Sequence, residues 1–219
     1  MRIGTLNIQR CKRASPQTIG QHLREMGVQL AVLQEVDRNT RRSQYQDQIV
    51  ELREASGMKN YHFYRTIPFL GGGEYGIAVM TQNDKDEVRF IDLTYFGDRE
   101  PRGAIILHTV FQKTEFLLVG THLSQKPRFA KLQFRDILKF VRSSGLPWLI
   151  AGDLNLEEVK SEAQDYFEDD DAPTWPSEAP KKRFDHILCD NFFKGKTATY
   201  VHCLPALSDH CMVIADIFL

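Results

Sequence analysis

Eight polar residues stand at or near the ends of apolar stretches: Asn7, Glu35, His122, Asp153, Asn155, Asp185, Asp209 and His210. Carboxylates and amides are hard oxygen donors, imidazoles move protons, and strand ends are where open sheets gather such groups. The clearest runs are Trp148-Leu149-Ile150-Ala151-Gly152-Asp153-Leu154-Asn155 and Ser208-Asp209-His210. Carboxylates that converge repel one another, since a pair of unit charges ~4 Å apart costs about 4 kcal/mol at an effective dielectric near 20. A cation is the natural remedy, and this donor mix points to metal-assisted phosphoryl chemistry.

Each residue also has a plainer reading. Glu35, after Leu33-Gln34, is the cleanest metal-ligand candidate; a rigidly held oxygen ligand suits Mg²⁺ or Mn²⁺, and the alternative is a solvated loop glutamate. Asp153 and Asn155 leave a buried strand on a turn led by Gly152, which taken alone is an Asx-turn. His210 beside Asp209 is a candidate acid–base group. Asp185, at the front of Phe184-Asp185-His186-Ile187-Leu188, is a candidate to orient it; otherwise Asp185 is a buried carboxylate satisfied by backbone amides. His122, ending another apolar strand, would by itself be structural. Gly71-Gly72-Gly73 lacks a following Gly-Lys-Ser/Thr and is no phosphate loop. Ser208 and Ser124 lack the Gly-x-Ser-x-Gly elbow of a serine nucleophile.

The elements that must position these groups follow from the pattern. Ser15-Pro16 caps a short helix with Ile19, Leu23 and Met26 inward and Gly27 at its end. Leu30–Leu33 is a buried strand with Glu35 just beyond it. A helix over Gln44–Ser56 stops at Gly57. Short strands follow at Tyr61–Thr66, Gly76–Thr81, Val88–Leu93, Gly103–Phe111 and Thr114–Gly120, the last two joined tightly at Gln112-Lys113. Phe134, Ile137, Leu138 and Val141 give the helical spacing of a helix over Arg128–Ser144, stopped by Gly145 and Pro147. Strands Trp148–Ala151, Phe184–Cys189, Thr197–Val201 and Met212–Phe218 complete the set. The polar stretch Glu157–Lys182 reads as loop with one short helical turn. No repeat or linker divides the chain, and Asn7 must meet His210, so one α+β domain over residues 1–219 is expected.

The 219 residues are 42% apolar and 26% charged, with net charge -1. That balance gives no whole-chain field to draw in a polyanion. The four cysteines, Cys11, Cys189, Cys203 and Cys211, contain no C-x-x-C pair and read as reduced, mostly packing thiols. With no leader before Ile3 and no apolar run near the ~18 residues of a membrane span, a cytoplasmic location is expected.

Thr5-Leu6-Asn7, Leu33-Gln34-Glu35-Val36-Asp37, Gly73-Glu74-Tyr75-Gly76-Ile77-Ala78, Glu100-Pro101-Arg102-Gly103, Gly120-Thr121-His122-Leu123, Gly152-Asp153-Leu154-Asn155, Arg183-Phe184-Asp185-His186-Ile187 and Ser208-Asp209-His210 together resemble, in order, the motifs of the endonuclease/exonuclease/phosphatase (DNase I-like) superfamily. The resemblance implies a four-layered αββα sandwich, with two mixed sheets flanked by helices, and Mg²⁺- or Mn²⁺-dependent hydrolysis of a phosphoester. It implies Glu35 as principal metal ligand with Asn7 beside it, Asp153 orienting or deprotonating water, and Asn155 holding a phosphate oxygen. It implies His210, polarised by Asp185, on the scissile phosphate or as acid–base, Asp209 in the metal or water network, and His122 as a second histidine. Arg102 is either a phosphate contact or a surface partner of Glu100. His186 departs from the pattern, standing where many members carry tyrosine.

The substrate stays open. Arg38/Arg41/Arg42, Lys126/Arg128/Lys131 and Lys181-Lys182-Arg183 could ring a nucleic-acid groove, or be solvated charge. Glu168-Asp169-Asp170-Asp171 opposes such a groove. A phosphodiesterase acting on a small or broad phosphodiester (or phosphomonoester) is favoured, ahead of a DNA or RNA nuclease and of a non-catalytic binding domain on the same fold.

Overall fold

In Leu30-Ala31-Val32-Leu33 successive side chains enter different cores: Leu30 and Val32 face one, Ala31 and Leu33 another. Trp148–Ala151 alternates likewise, with Leu149 and Ala151 facing the core that holds Val32. A strand apolar on both sides must be covered on both, which dictates a layered molecule.

The computed structural model describes residues 1–159, 166–168 and 170–219. Along the chain it forms β1 (Arg2–Asn7), α1 (Pro16–Glu25), β2 (Leu30–Arg38), α2 (Gln48–Ser56), β3 (Asn60–Pro68), β4 (Glu74–Thr81), β5 (Glu87–Asp92), β6 (Gly103–Phe111), β7 (Thr114–His122), α3 (Pro127–Ser143), β8 (Trp148–Asp153), β9 (Tyr166–Phe167), β10 (Asp185–Asp190), β11 (Thr197–His202) and β12 (Met212–Ile217). Two six-stranded mixed sheets result, ordered β11-β12-β1-β2-β4-β3 and β5-β6-β7-β8-β10-β9. Their facing sides share a core of Val32, Val79, Ile105, Leu118, Leu149 and Ile187. Ile19 and Leu23 of α1 and Ile49 and Leu52 of α2 cover the first sheet. Phe134, Ile137 and Val141 of α3 cover the second. The expected αββα sandwich is the observed fold.

Local chemistry explains most boundaries. Ser15 Oγ accepts from Thr18 N at 3.1 Å, capping α1, and Gly57, at φ 72°, ends α2. Gln112 and Lys113 take φ 48° and 69°, the left-handed pair that a two-residue hairpin of primed type requires. Four expectations change. The strand from Leu30 does not stop before Glu35 but runs on to Arg38 through a bulge. The helix expected from Gln44 begins at Gln48, because Gln44 and Tyr45 adopt left-handed backbone. Between Glu157 and Lys182, expected as loop, the described residues hold the short β9 and a Trp175–Lys182 bridge; the short helical turn expected in this stretch is not among them, and 160–165 and 169 lie outside the described residues. Cys203 and Cys211 are not separate thiols but a disulfide, because β11 and β12 set them opposite each other one step past the His202–Met212 pair. Cys11 and Cys189 are thiols outside that disulfide, as expected.

No helix among the described residues is long and apolar enough to cross a membrane.

Candidate active site

The second sheet places three groups by register alone. His122 ends β7 level with Asp153 at the end of β8, and Asp185 begins β10 opposite the same Asp153. Successive strands lie about 4.8 Å apart, so the three side chains are neighbours once they share a face. His122 Nε2 lies 3.4 Å from Asp153 Oδ2. Gly152 is needed because β7 passes close: a Cβ there would meet Thr121 O at 2.0 Å. The close approach is thus to a neighbouring strand, and Asp153 still belongs to β8. Asn155 follows at φ 50°, its N–H donating to Asp153 Oδ1 at 3.0 Å and its Nδ2 to Leu123 O at 3.0 Å.

The first sheet places its groups by irregularity. Between Leu33–Ala78 and Val36–Gly76 the register slips, so that Gln34 and Glu35 oppose Ile77 alone. This is a bulge, with Glu35 at φ 58°. Asn7, ending β1, donates from Nδ2 to Glu35 Oε1 at 3.3 Å and to Asp153 Oδ2 at 3.1 Å, so one amide joins the two sheets. Its Oδ1 accepts from Gln9 N–H at 3.0 Å. Gln9, Arg10 and Cys11 follow in three consecutive left-handed conformations, a costly turn for L-residues. That turn lets Gln9 Nε2 donate to Asp209 Oδ2 at 3.0 Å and sets Arg10 Nε 3.8 Å from Glu35 Oε2.

His210 comes from the loop before β12. Its Nδ1 donates to Asp185 Oδ2 at 2.8 Å, the pairing expected from the sequence. Ser208 Oγ donates to Asn7 O at 2.5 Å, and Ser177 N–H to Asp209 O at 2.8 Å. Asp185 N–H donates to Thr174 Oγ1 at 3.2 Å.

Burial and the charge of Asp185 push Asp153 up to about 6, against the opposing pull of His210, Asn7 and Asn155. Burial would lower His210, but the charge of Asp185 and the hydrogen bond to it, with Asp153 and Asp209, raise it to about 10. His122 goes the other way: burial first, then the charges of Arg102 and His210, hold it well below the usual histidine value. The site therefore holds a protonated and a neutral imidazole at neutral pH.

Asp153, Asp185 and His210 offer ligand atoms within 4.8 Å of one another, a grouping able to hold a cation. His210 is itself cationic and joined to Asp185, however, which leaves Glu35 with Asp153 as the oxygen-rich side. Four buried polar atoms here make no hydrogen bond: Arg10 Nε, Arg102 Nε, His122 Nε2 and Asp185 Oδ1. Unpaired buried polar atoms cost about 1–3 kcal/mol each, a cost that a polar ligand bound here would offset. Arg102, 3% exposed and ion-paired with Glu100, is neither a surface residue nor fully satisfied.

Gln9, Arg10, Ser208, Thr174 and Ser177 were not legible as site residues. His186 is also built into the site's surroundings: Nδ1 lies 3.0 Å from Glu168 Oε2 and Nε2 2.8 Å from Leu156 O, next to Asn155. Burial would raise Glu168, but His186 and Arg183 outweigh it and hold the carboxyl below its usual value. Glu168 thus faces inward, and Asp170 accepts from Ala172 N–H and Val201 N–H. Glu168 and Asp170 of the acidic run are spent internally, whereas Asp171 is exposed and Asp169 lies outside the described residues. Much of the expected basic rim is spent too: Arg38 pairs with Asp47 and Glu74, Arg42 with Asp37, Arg183 with Glu168 and Lys182 with Glu157.

The model of the Endonuclease/Exonuclease/phosphatase family matches residues 4–210. Among solved structures, an endonuclease/exonuclease/phosphatase from Beutenbergia cavernae is similar at TM-score 0.78 and 20% identity, over 100% of this chain and 71% of that one. Truncated Caenorhabditis elegans TDP2 is similar at TM-score 0.73 and 19% identity, over 100% and 97%. A mannosyl-6-phosphatase from Bacteroides thetaiotaomicron is similar at TM-score 0.69 and 16% identity, over 100% of both chains. These likenesses concern the fold. No curated protein sequence matches the chain.

Proposed function

Since the chain belongs to the endonuclease/exonuclease/phosphatase family, whose members act on phosphoester bonds, we propose that it is a divalent-metal-dependent phosphodiesterase working at the Glu35–Asp153–His210 site. The observation that carries this reading is the convergence on Asp153. Asn7 reaches it from one sheet, its amide also holding Glu35, His122 and Asp185 reach it from the other, and buried donors without hydrogen-bond partners lie around it.

The donor set fits Mg²⁺ or Mn²⁺. Glu35 and Asp153 supply hard oxygens, and burial beside Asp185 disfavours the charged form of Asp153, which a bound cation would favour. Asn7 could join through Oδ1 only by giving up the bond from Gln9 N–H; with that bond kept, it holds Glu35 and Asp153 together. When bound, the cation would neutralise charge on the phosphoryl oxygens.

The chain's own residues then divide the work. Asp153 orients and deprotonates the attacking water. His210, held protonated by Asp185, donates to a phosphoryl oxygen or to the leaving oxygen. His122, neutral, donates a further hydrogen bond, as does the second Nδ2 hydrogen of Asn155; such prepositioned donors favour the transition state over the substrate. Arg102 adds charge from behind His122. Asp209, fixed by Gln9, supports the water network.

Ion pairing of Arg38, Arg42, Lys182 and Arg183 within the protein weakens a duplex groove and favours a small phosphodiester. The test is a metal-by-substrate panel with bis(p-nitrophenyl) phosphate, p-nitrophenyl phosphate and supercoiled plasmid. The expected result is Mg²⁺- or Mn²⁺-dependent turnover of the diester with the plasmid intact. Metal-dependent nicking lost in His210→Ala would replace this reading with a nuclease, and preferential turnover of the monoester would replace it with a phosphatase.

A further inference from the structure

The loop that delivers Asp209 and His210 is closed at its base by the bond between Cys203 and Cys211, eight positions apart. The two sulfurs differ sharply in access: Cys211 is fully buried, whereas Cys203 is exposed. The two limbs of the loop differ in the same way. On the Cys211 side, Ser208 is tied to Asn7 and to Ser177, Asp209 to Ser177 and to Gln9, and Cys211 N–H donates to Thr174 O at 2.8 Å. From Cys203 to Ala206, among the described residues, the ties are the Leu207–Leu204 turn and Arg13, which reaches Pro205 O at 3.1 Å. Arg13 is itself partly exposed and pairs with exposed Glu178. The disulfide is therefore the one strong link between that limb and the rest of the loop.

We propose that Cys203–Cys211 is a reversible dithiol/disulfide site, opened through Cys203 by a dithiol reductant, and that its state sets the mobility of the Cys203–Ala206 limb that leads into Asp209 and His210. A reductant thiolate attacks Cys203 Sγ, the sulfur it can reach. The bond to Cys211 breaks, and Cys211 leaves as a thiolate that takes up a proton. The reductant's second thiol attacks the mixed disulfide and releases Cys203, which also ends protonated. Two electrons and two protons pass to the protein, and the reductant departs as its own disulfide. Of the cysteines outside the disulfide, Cys11 is half-buried with its thiol pushed up to about 12 by burial and then by Glu51 and Asp37, and Cys189 is fully buried, so neither competes as an accessible thiolate.

The test uses the full chain, air-oxidised, then reduced with dithiothreitol, then reoxidised. Thiol titration of the denatured protein should find two thiols before reduction and four after it. Hydrogen exchange of the 203–210 segment should quicken about tenfold on reduction, and phosphodiester turnover should fall about fivefold, both reversing on reoxidation. Cys203→Ser should sit at the reduced level and ignore dithiothreitol. Four thiols before reductant, or unchanged exchange after complete reduction, would overturn the site. Unchanged turnover in an active enzyme would overturn its coupling to His210. The exchange measurement needs no substrate, so it decides the site even if no phosphodiester is hydrolysed, an outcome that would count against the phosphoesterase reading alone.

Discussion

The two sheets build one site by opposite means. The second sheet sets His122, Asp153 and Asp185 side by side through ordinary ladder register, each at a strand end. The first sheet reaches the same point with a bulge at Glu35, a left-handed turn over Gln9–Cys11, and a loop that brings His210 back across to Asp185. A regular ladder is fixed by the whole sheet and tolerates the loss of one side chain. A bulge or a loop depends on a few local bonds, so its geometry is more easily lost, and left-handed positions store strain that a ligand can offset.

Asp153 is where the two constructions meet, so its loss should do most damage. Asp153→Ala should lower kcat/KM by roughly 10³–10⁴-fold in a steady-state assay while melting near the wild-type temperature. A loss of less than about tenfold would separate the sheets functionally. Gly152→Ala attacks the ladder itself: with a Cβ 2.0 Å from Thr121 O, about 3 kcal/mol or more of stability should go, read by chemical denaturation, with His122 and Asp153 displaced together. Asp185→Asn should leave the fold intact and cost roughly 10²-fold in kcat, as His210 loses the carboxylate that keeps it protonated. An Asn variant of unchanged kcat would mean that the His210 loop holds its geometry without the second sheet.

The smallest effect concerns the support behind Asn155. Glu168 is held below its usual value of 4.5 by His186 and Arg183, so its contribution is complete above about pH 4.5 and is lost as pH falls through the lower folded value. Glu168→Gln should therefore cost about 1–2 kcal/mol at neutral pH, and melts of the two proteins should converge toward pH 3. A gap that persists at low pH would assign the cost to packing instead of charge.

This contrast also explains what the sequence revealed. Strand-end residues of the second sheet announce themselves, because a buried apolar run such as Leu149–Ala151 ends on Gly152-Asp153 and register follows from pairing. Asp185 as partner of His210 was legible on those grounds. The bulge at Glu35 was not, because Leu33-Gln34-Glu35-Val36 reads equally well as a strand stopping. The left-handed Gln9–Cys11 turn contains no glycine or asparagine to mark it. The Cys203–Cys211 bond escaped because seven intervening residues do not tell a loop between paired strands from any other loop; only the β11–β12 register brings the sulfurs together. The acidic run looked like a surface feature because nothing local shows that Glu168 turns inward to Arg183 and His186.

Glu35, placed by the bulge, is proposed to complete a divalent-cation site with Asp153 that drives phosphodiester hydrolysis. The most direct measurement is Mg²⁺ binding by calorimetry alongside Mg²⁺-dependent turnover of bis(p-nitrophenyl) phosphate, in wild type and Glu35→Gln. The account predicts that the wild type binds Mg²⁺ and is silenced by chelator, and that Glu35→Gln loses the binding heat and roughly 10³-fold in kcat/KM while remaining folded. Mg²⁺ affinity and turnover within about twofold of wild type in Glu35→Gln would contradict it.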